Sequence, residues 1–147
     1  VSGDLSKADQ GHVPFGASLS SLQPSQLYIS APKLAGLRAH IDADPPPELP
    51  PIPVIRLLGR LVMTDGHTRA LALWLRGDQD VLVAWDTDQL DLAAYRECVG
   101  WCLAEGISEP AHLASRVVSA EQYRSLWLDR CAAMHRRLDA LREGDPC

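Results

Sequence analysis

The prolines of "DADPPPELPPIP", residues 42–53, limit this chain's options more than any other stretch. Pro45, Pro46, Pro47, Pro50, Pro51 and Pro53 each lack an amide hydrogen and hold φ at about −65°. Neither a helix nor a central strand is expected to run through them. The stretch reads as a stiff, polyproline-like connector, so the segments on either side of it must fold as separate elements. The 147 residues are 46% hydrophobic and 22% charged, which suits one domain with a substantial core.

Residues 1–18 show no sustained period and are expected to form a flexible N-terminal arm. "SLQPSQLYIS" predicts a short extended segment with a turn at Pro24-Ser25. "APKLAGLRAHI" places Leu34, Leu37 and Ile41 at helical spacing, with Pro32 suited to a first turn. After the connector, Val54–Leu58, a turn at Gly59 and Leu61–Thr64 read as a hairpin. A helix follows, stopped by Gly77-Asp78, and then a buried-type strand at Val81–Trp85. From Asp88 onward the chain reads as helical. Leu92, Tyr95, Val99, Cys102 and Leu103 make one apolar face, and Gly106 a stop. Ser108-Glu109-Pro110 opens a short helix through Ser115, and Ser119 to Gln122 has the form of a capping box. In the last helix Tyr123, Trp127, Cys131, Met134, Leu138 and Leu141 recur at steps of three or four.

The net charge of −5 argues against an autonomous DNA-binding domain, since neutralising phosphates needs concentrated Lys and Arg. No stretch approaches the roughly 20 apolar residues that span a bilayer. The opening residues lack the charged-then-apolar layout of a secretory signal. Cys98, Cys102 and Cys131 fall at apolar helical positions and Cys147 ends the sequence, a pattern unlike a disulfide framework. A cytoplasmic setting is the expectation. Cys98-x-x-x-Cys102 places two thiols on one helical face. A metal site there would need His112, Cys131 and His135 to converge from separate helices, so buried core thiols are the simpler reading and no metal site is expected.

The chemistry concentrates at "TDGHTR", residues 64–69, where a strand meets a helix. The first amides of a helix are unpaired and partly positive, and so favour an anion. Gly66 lets the backbone approach a ligand closely. Thr68 offers a hydroxyl and Arg69 a guanidinium fork suited to phosphate. His67 can donate to a phosphate oxygen or shuttle a proton, and Asp65 can accept a proton or hold Mg²⁺. Read purely locally, the same residues are a cap. Thr64 or Asp65 then caps the helix, Gly66 makes the turn and Arg69 is a surface charge.

"PIPVIRLLGRLVMTDGHTRALALWLRGDQDVLVAWD", residues 51–86, resembles the core of the ParB/sulfiredoxin-like superfamily. In that superfamily a strand pair leads into a polar, Gly-containing box with an Arg at the head of a helix, and a further strand follows. "LSSLQPSQLYISAPKLAGL", residues 19–37, resembles its opening segment. The box is similar to the Asp-Gly-His-His-Arg of free-serine kinases, differing at Thr68. The sulfiredoxin nucleophile would fall at His67, which removes cysteine chemistry. The acid that the serine kinases keep in the opening segment is replaced here by Pro24-Ser25-Gln26, so Asp65, or Glu48 from the connector, would have to serve as base.

The resemblance implies an α+β fold with a small mixed sheet over residues 19–86, and the helical periodicity beyond it adds a C-terminal helical extension. Residues 19–86 would be the nucleotide- and phosphate-binding core, and 87–147 the helices packed on it. It implies Gly66, His67, Thr68 and Arg69 as ligands of a nucleotide (ADP, ATP or CTP) with Mg²⁺, and Asp65 and His67 as catalytic groups. The partner would be a nucleotide or phosphorylated small molecule, and the reaction phosphoryl transfer to a small hydroxyl compound. The alternative is a non-catalytic regulatory or interaction module whose helical tail forms a homodimer or docks a protein partner. A DNA-partitioning role ranks below both.

Overall fold

Ile52 and Val54 point into one hydrophobic cluster, while Ile55 and Leu57 point into another, with Val62, Tyr95 and Val99. This alternation makes a strand at the end of the proline run, because a period of two is what a sheet with both faces covered buries. The computed structural model describes residues 13–144, and in it Ile52–Leu57 is the middle strand, β4, of a five-stranded mixed sheet. In chain order the strands of this sheet are β1 (Phe15–Ser18), β2 (Leu22–Gln23), β4, β5 (Arg60–Met63) and β6 (Asp80–Trp85), and β3 (Ile29–Ser30) lies outside it. Their spatial order is β1-β6-β4-β5-β2. The β1/β6 and β4/β5 pairs are antiparallel, whereas β4/β6 and β2/β5 are parallel.

Helix α1 (Ala31–Ile41) precedes the proline connector. Helix α2 (His67–Arg76) provides the crossover between β5 and β6, buries Ala70, Leu71, Ala72 and Leu73, and ends at a left-handed Gly77. Helix α3 (Leu92–Ala104) is capped by the Asp91 side chain, which accepts from the Ala94 amide. A 3₁₀ segment, Pro110–Arg116, leads into β7 (Val117–Val118), which pairs in parallel with β3. Helix α4 (Ala120–Tyr123) starts at Ser119, where both bonds of the capping box form. A π-helical stretch, Arg124–Leu128, joins it to α5 (Asp129–Glu143). This is an α+β fold with a mixed sheet and a C-terminal helix.

Several expectations are corrected. The arm expected over 1–18 lies outside the described residues up to residue 12, but Phe15–Ser18 is the edge strand β1, paired with β6 from Phe15↔Val83 to Ser18↔Asp80. The connector yields to a central strand at its last two residues. Pro53 sits just past the end of the β5 pairing, where its carbonyl accepts the Thr64 amide at 3.0 Å. The hairpin turn is Leu58-Gly59, both left-handed (φ 54° and 70°), the primed geometry that matches strand twist. Strand β6 is only half-buried, with Leu82 54% exposed. On α3 the buried set is Ala94, Cys98, Val99 and Cys102, and Leu92 and Leu103 are exposed, because small residues let the helix sit close to its neighbours.

The C-terminal half is part of the same core. Leu113, Trp127 and Met134 join the cluster that contains Leu22, Leu71 and Val83. Buried Gln23 ties the two halves together, donating to Pro24 O at 2.9 Å and to Ile107 O at 2.8 Å. No helix among the described residues is long and apolar enough to cross a membrane. Leu113 is fully buried in a segment that packs on α2. Leu113→Ala is therefore expected to cost about 2–5 kcal/mol in urea unfolding while keeping a single transition. A segment merely appended to the core would cost well under about 1 kcal/mol.

Candidate functional site

Strand β5 delivers its C-terminal end to the corner, and several bonds hold it there. Thr64 Oγ1 donates to Asp86 Oδ2 at 2.6 Å, and Tyr95 OH donates to Thr64 O at 3.1 Å. The chain then reverses through Gly66, whose φ of 77° lies in the left-handed region that favours glycine. Gly66 is itself the N-cap residue of α2, and no side chain caps this helix. The local reading is corrected on this point. Thr64 is engaged with Asp86, and Asp65 Oδ1 accepts the Gly66 amide at 2.8 Å instead of an amide of the first turn. The start of α2 keeps its partial positive charge without a carboxylate cap.

His67 borders this corner but faces inward, with 4% of its surface exposed. Its Nε2 accepts the Ser25 amide at 2.9 Å, while Ser25 Oγ donates to Met63 O at 2.7 Å. An imidazole accepting at Nε2 carries its proton on Nδ1 and is neutral. Burial pushes its pKa down to about 4, against the opposing charge of Asp65. His67 thus ties the Pro24-Ser25 turn to the head of α2. A proton shuttle through Nε2 would have to break that tie.

Arg69 behaves differently. Its guanidinium folds back over Gly66, so that a Cβ at residue 66 would lie 2.7 Å from Nη2. Nη2 makes a long 3.5 Å contact with Pro51 O, and Nε is buried with no hydrogen-bond partner among the described residues. Burial holds this guanidinium below its ordinary pKa, with Asp65 opposing. A buried donor left unpaired costs about 1–3 kcal/mol, so such a group calls for an explanation: strain, a functional role, or a bound water or ion.

Residues 65–69 form one wall of a cleft of about 320 Å³. The other wall is Gln26, Lys33, Leu37 and Tyr123. Lys33 Nζ stands 5.6 Å from the centre of the Tyr123 ring, and Gln26 Nε2 donates to Tyr123 OH at 3.2 Å. The cleft therefore carries two cations, Arg69 and Lys33, and Thr68 lines it as well. Lys33 and Tyr123 escape sequence reasoning, because α1 and α4 meet only in the folded chain. The sole local hint was a lysine just after Pro32. Asp65 also borders a second cleft with Asp86 and Asp88, and Glu48, within the proline connector, lines a third cleft together with Arg69. Among the described residues no group of three His, Cys, Asp or Glu is arranged to hold a metal ion.

Fold and corner together describe an α+β protein with an arginine-bearing cleft at the start of its crossover helix. No protein-family model and no curated protein matches this chain. Among solved structures it is similar to protein Atu1540 from Agrobacterium tumefaciens, at 18% identity and a TM-score of 0.43, over 67% of this chain and 51% of that one. This chain thus spans about half the length of that protein.

The His67 site has a pH signature. Its folded pKa of about 4 lies below the ordinary 6.5, so the unfolded chain takes up the proton first as pH falls. The stability supplied by the neutral ring is present in full above about pH 6.5 and is lost between there and about pH 4, a change of order 3 kcal/mol. Urea unfolding across this window is expected to show a steeper loss in wild type than in His67→Gln. Parallel curves would mean that His67 titrates normally.

Proposed function

We propose that this protein binds a phosphate-bearing ligand, a nucleotide with Mg²⁺ by preference, in the cleft at the start of α2. The observation that carries the reading is Arg69. Its half-buried guanidinium, with Nε unpartnered, lies beside an uncapped helix start and shares a cleft with Lys33. Backbone amides of the first turn, the Thr68 hydroxyl and the two cations are the donors that phosphate oxygens require. Gly66 keeps the approach open, because any side chain there would collide with Arg69. The likeness of Asp65-Gly66-His67-Thr68-Arg69 to the box of the ParB/sulfiredoxin-like superfamily supports the same reading and belongs to the proposal.

Phosphoryl transfer to a small hydroxyl compound is the enzymatic form of this proposal, with Asp65 as base or Mg²⁺ contact. A binding module without turnover is the second reading, and His67 favours it. The ring that could move protons is neutral, buried and occupied by the Ser25 amide. Asp65 is then the acid of the box, and one of its oxygens already holds the Gly66 amide.

Thermal unfolding with ADP, ATP, CTP or inorganic phosphate, each with Mg²⁺, tests the site. A ligand at a hundred times its Kd is expected to stabilise by about 2.7 kcal/mol, seen as a rise in Tm. Arg69→Ala is expected to abolish the rise and Lys33→Ala to reduce it. No rise with any of the four sinks the proposal. Product analysis of the same mixtures separates turnover from binding.

Gly66→Ala provides a second check. Strain at a positive φ is expected to cost of order 1 kcal/mol, and the displaced Arg69 to weaken the same ligand at least tenfold in a titration. Unchanged affinity in Gly66→Ala would mean that Arg69 is not a ligand.

A further inference from the structure

We propose that Cys98 and Cys131 form a reversible oxidation site, in which a small hydroperoxide entering the cavity between α3 and α5 converts the two thiols to a disulfide. The cavity, about 340 Å³, is lined by both cysteines together with Trp127, Met134 and His135. Gln26 and His67 line both this cavity and the proposed phosphate cleft.

The packing of two antiparallel helices brings the thiols together. Near the start of α3, Arg142 Nη2 lies 2.8 Å from Asp91 Oδ1. Further along, Arg137 is paired with Glu97. Beyond that, Trp101 meets Trp127 edge-on with ring centres 6.0 Å apart. Cys98 lies between Glu97 and Trp101 on one helix, and Cys131 between Trp127 and Arg137 on the other, so the same seam holds both. Both are free thiols, Cys98 buried and Cys131 half-buried.

The neighbouring groups divide the roles. Contact with the Cys131 sulfur, followed by burial, pushes the Cys98 thiol up, and Glu97 adds to this. The same contact holds Cys131 below its ordinary value despite burial, with Arg130 helping. Cys131, the more exposed of the two, is the sulfur that meets the oxidant, and Cys98 the one that resolves. Cys102, one turn from Cys98, is fully buried with its thiol pushed up to about 12, and stays out of the exchange.

The steps balance. The Cys131 thiolate attacks the terminal peroxide oxygen, and the O–O bond breaks. Cys131 becomes a sulfenic acid, while the departing oxygen takes a proton and leaves as an alcohol, or as water from hydrogen peroxide. Cys98 sulfur then attacks the sulfenyl sulfur. The S–S bond forms, the S–O bond breaks, and hydroxide leaves with the Cys98 proton as water. Two thiols are oxidised by two electrons and one peroxide is reduced. A thiol reductant reverses the product by exchange. The seam admits a small oxidant to a buried thiol, whereas a folded protein disulfide would not reach Cys98.

The test uses the full chain, treated with excess hydrogen peroxide, denatured and alkylated. Of its four thiols, two are expected to remain alkylatable, with the mass lowered by two hydrogens. A cross-link between tryptic fragments 97–116 and 131–136 is expected, reversed by dithiothreitol. It should persist in Cys102→Ala and vanish in Cys98→Ala and Cys131→Ala. Should Cys102→Ala fail to fold, fragmentation of the wild-type cross-linked pair distinguishes Cys98 from Cys102. Four alkylatable thiols after peroxide overturn the proposal. So does a link through Cys102 or Cys147, or a Cys131 oxidised to sulfinic acid without any link.

Discussion

The bond from the Ser25 amide to His67 Nε2 ties the opening segment to the head of α2. Ser25 also donates to Met63 O, so the opening segment is anchored to the last residue of β5 and the first residue of α2 together. That anchor holds the head of α2, which packs directly on α1 and lines one cleft with Lys33. It depends on the imidazole staying neutral. Burial ensures this, since the charged ring would lose both its acceptor and its solvation. A box that reads as reactive in the linear chain thereby divides in two. Its histidine faces inward and holds the corner, and its arginine faces the cleft.

The C-terminal helices complete the structure that this corner begins. Tyr123 closes the cleft opposite the box, and Trp127 and Met134 enter the main core. Ion pairs from Arg137 and Arg142 to α3 lie at the surface, where each contributes little to stability but favours one alignment of the two helices. A surface alignment of this kind fixes which residues share the seam beneath it.

Much of the local structure was legible from the chain. α1, the α2 stop at Gly77 and the Ser119 capping box follow from spacings of three or four residues and from glycine's freedom at positive φ. The misjudged places have a common cause. Pro53 joins a central strand because the β5 pairing ends just before it, and β1 forms because β6 offers it an edge. Strand β7 is two residues long and exists through its pairing with β3. Each of these depends on a partner distant in sequence.

By itself the sequence determined a strand, a sharp glycine corner and a helix, with an acid, a histidine, a hydroxyl and an arginine at the junction. Such features arise from bonds between near neighbours, and near neighbours are written side by side. Only the tertiary structure decided that His67 faces in, that Arg69 keeps an unpaired Nε, and that Lys33 stands across from it. The physical reason is burial. Which donors lose water, and which find a partner, is settled when elements dozens of residues apart pack together.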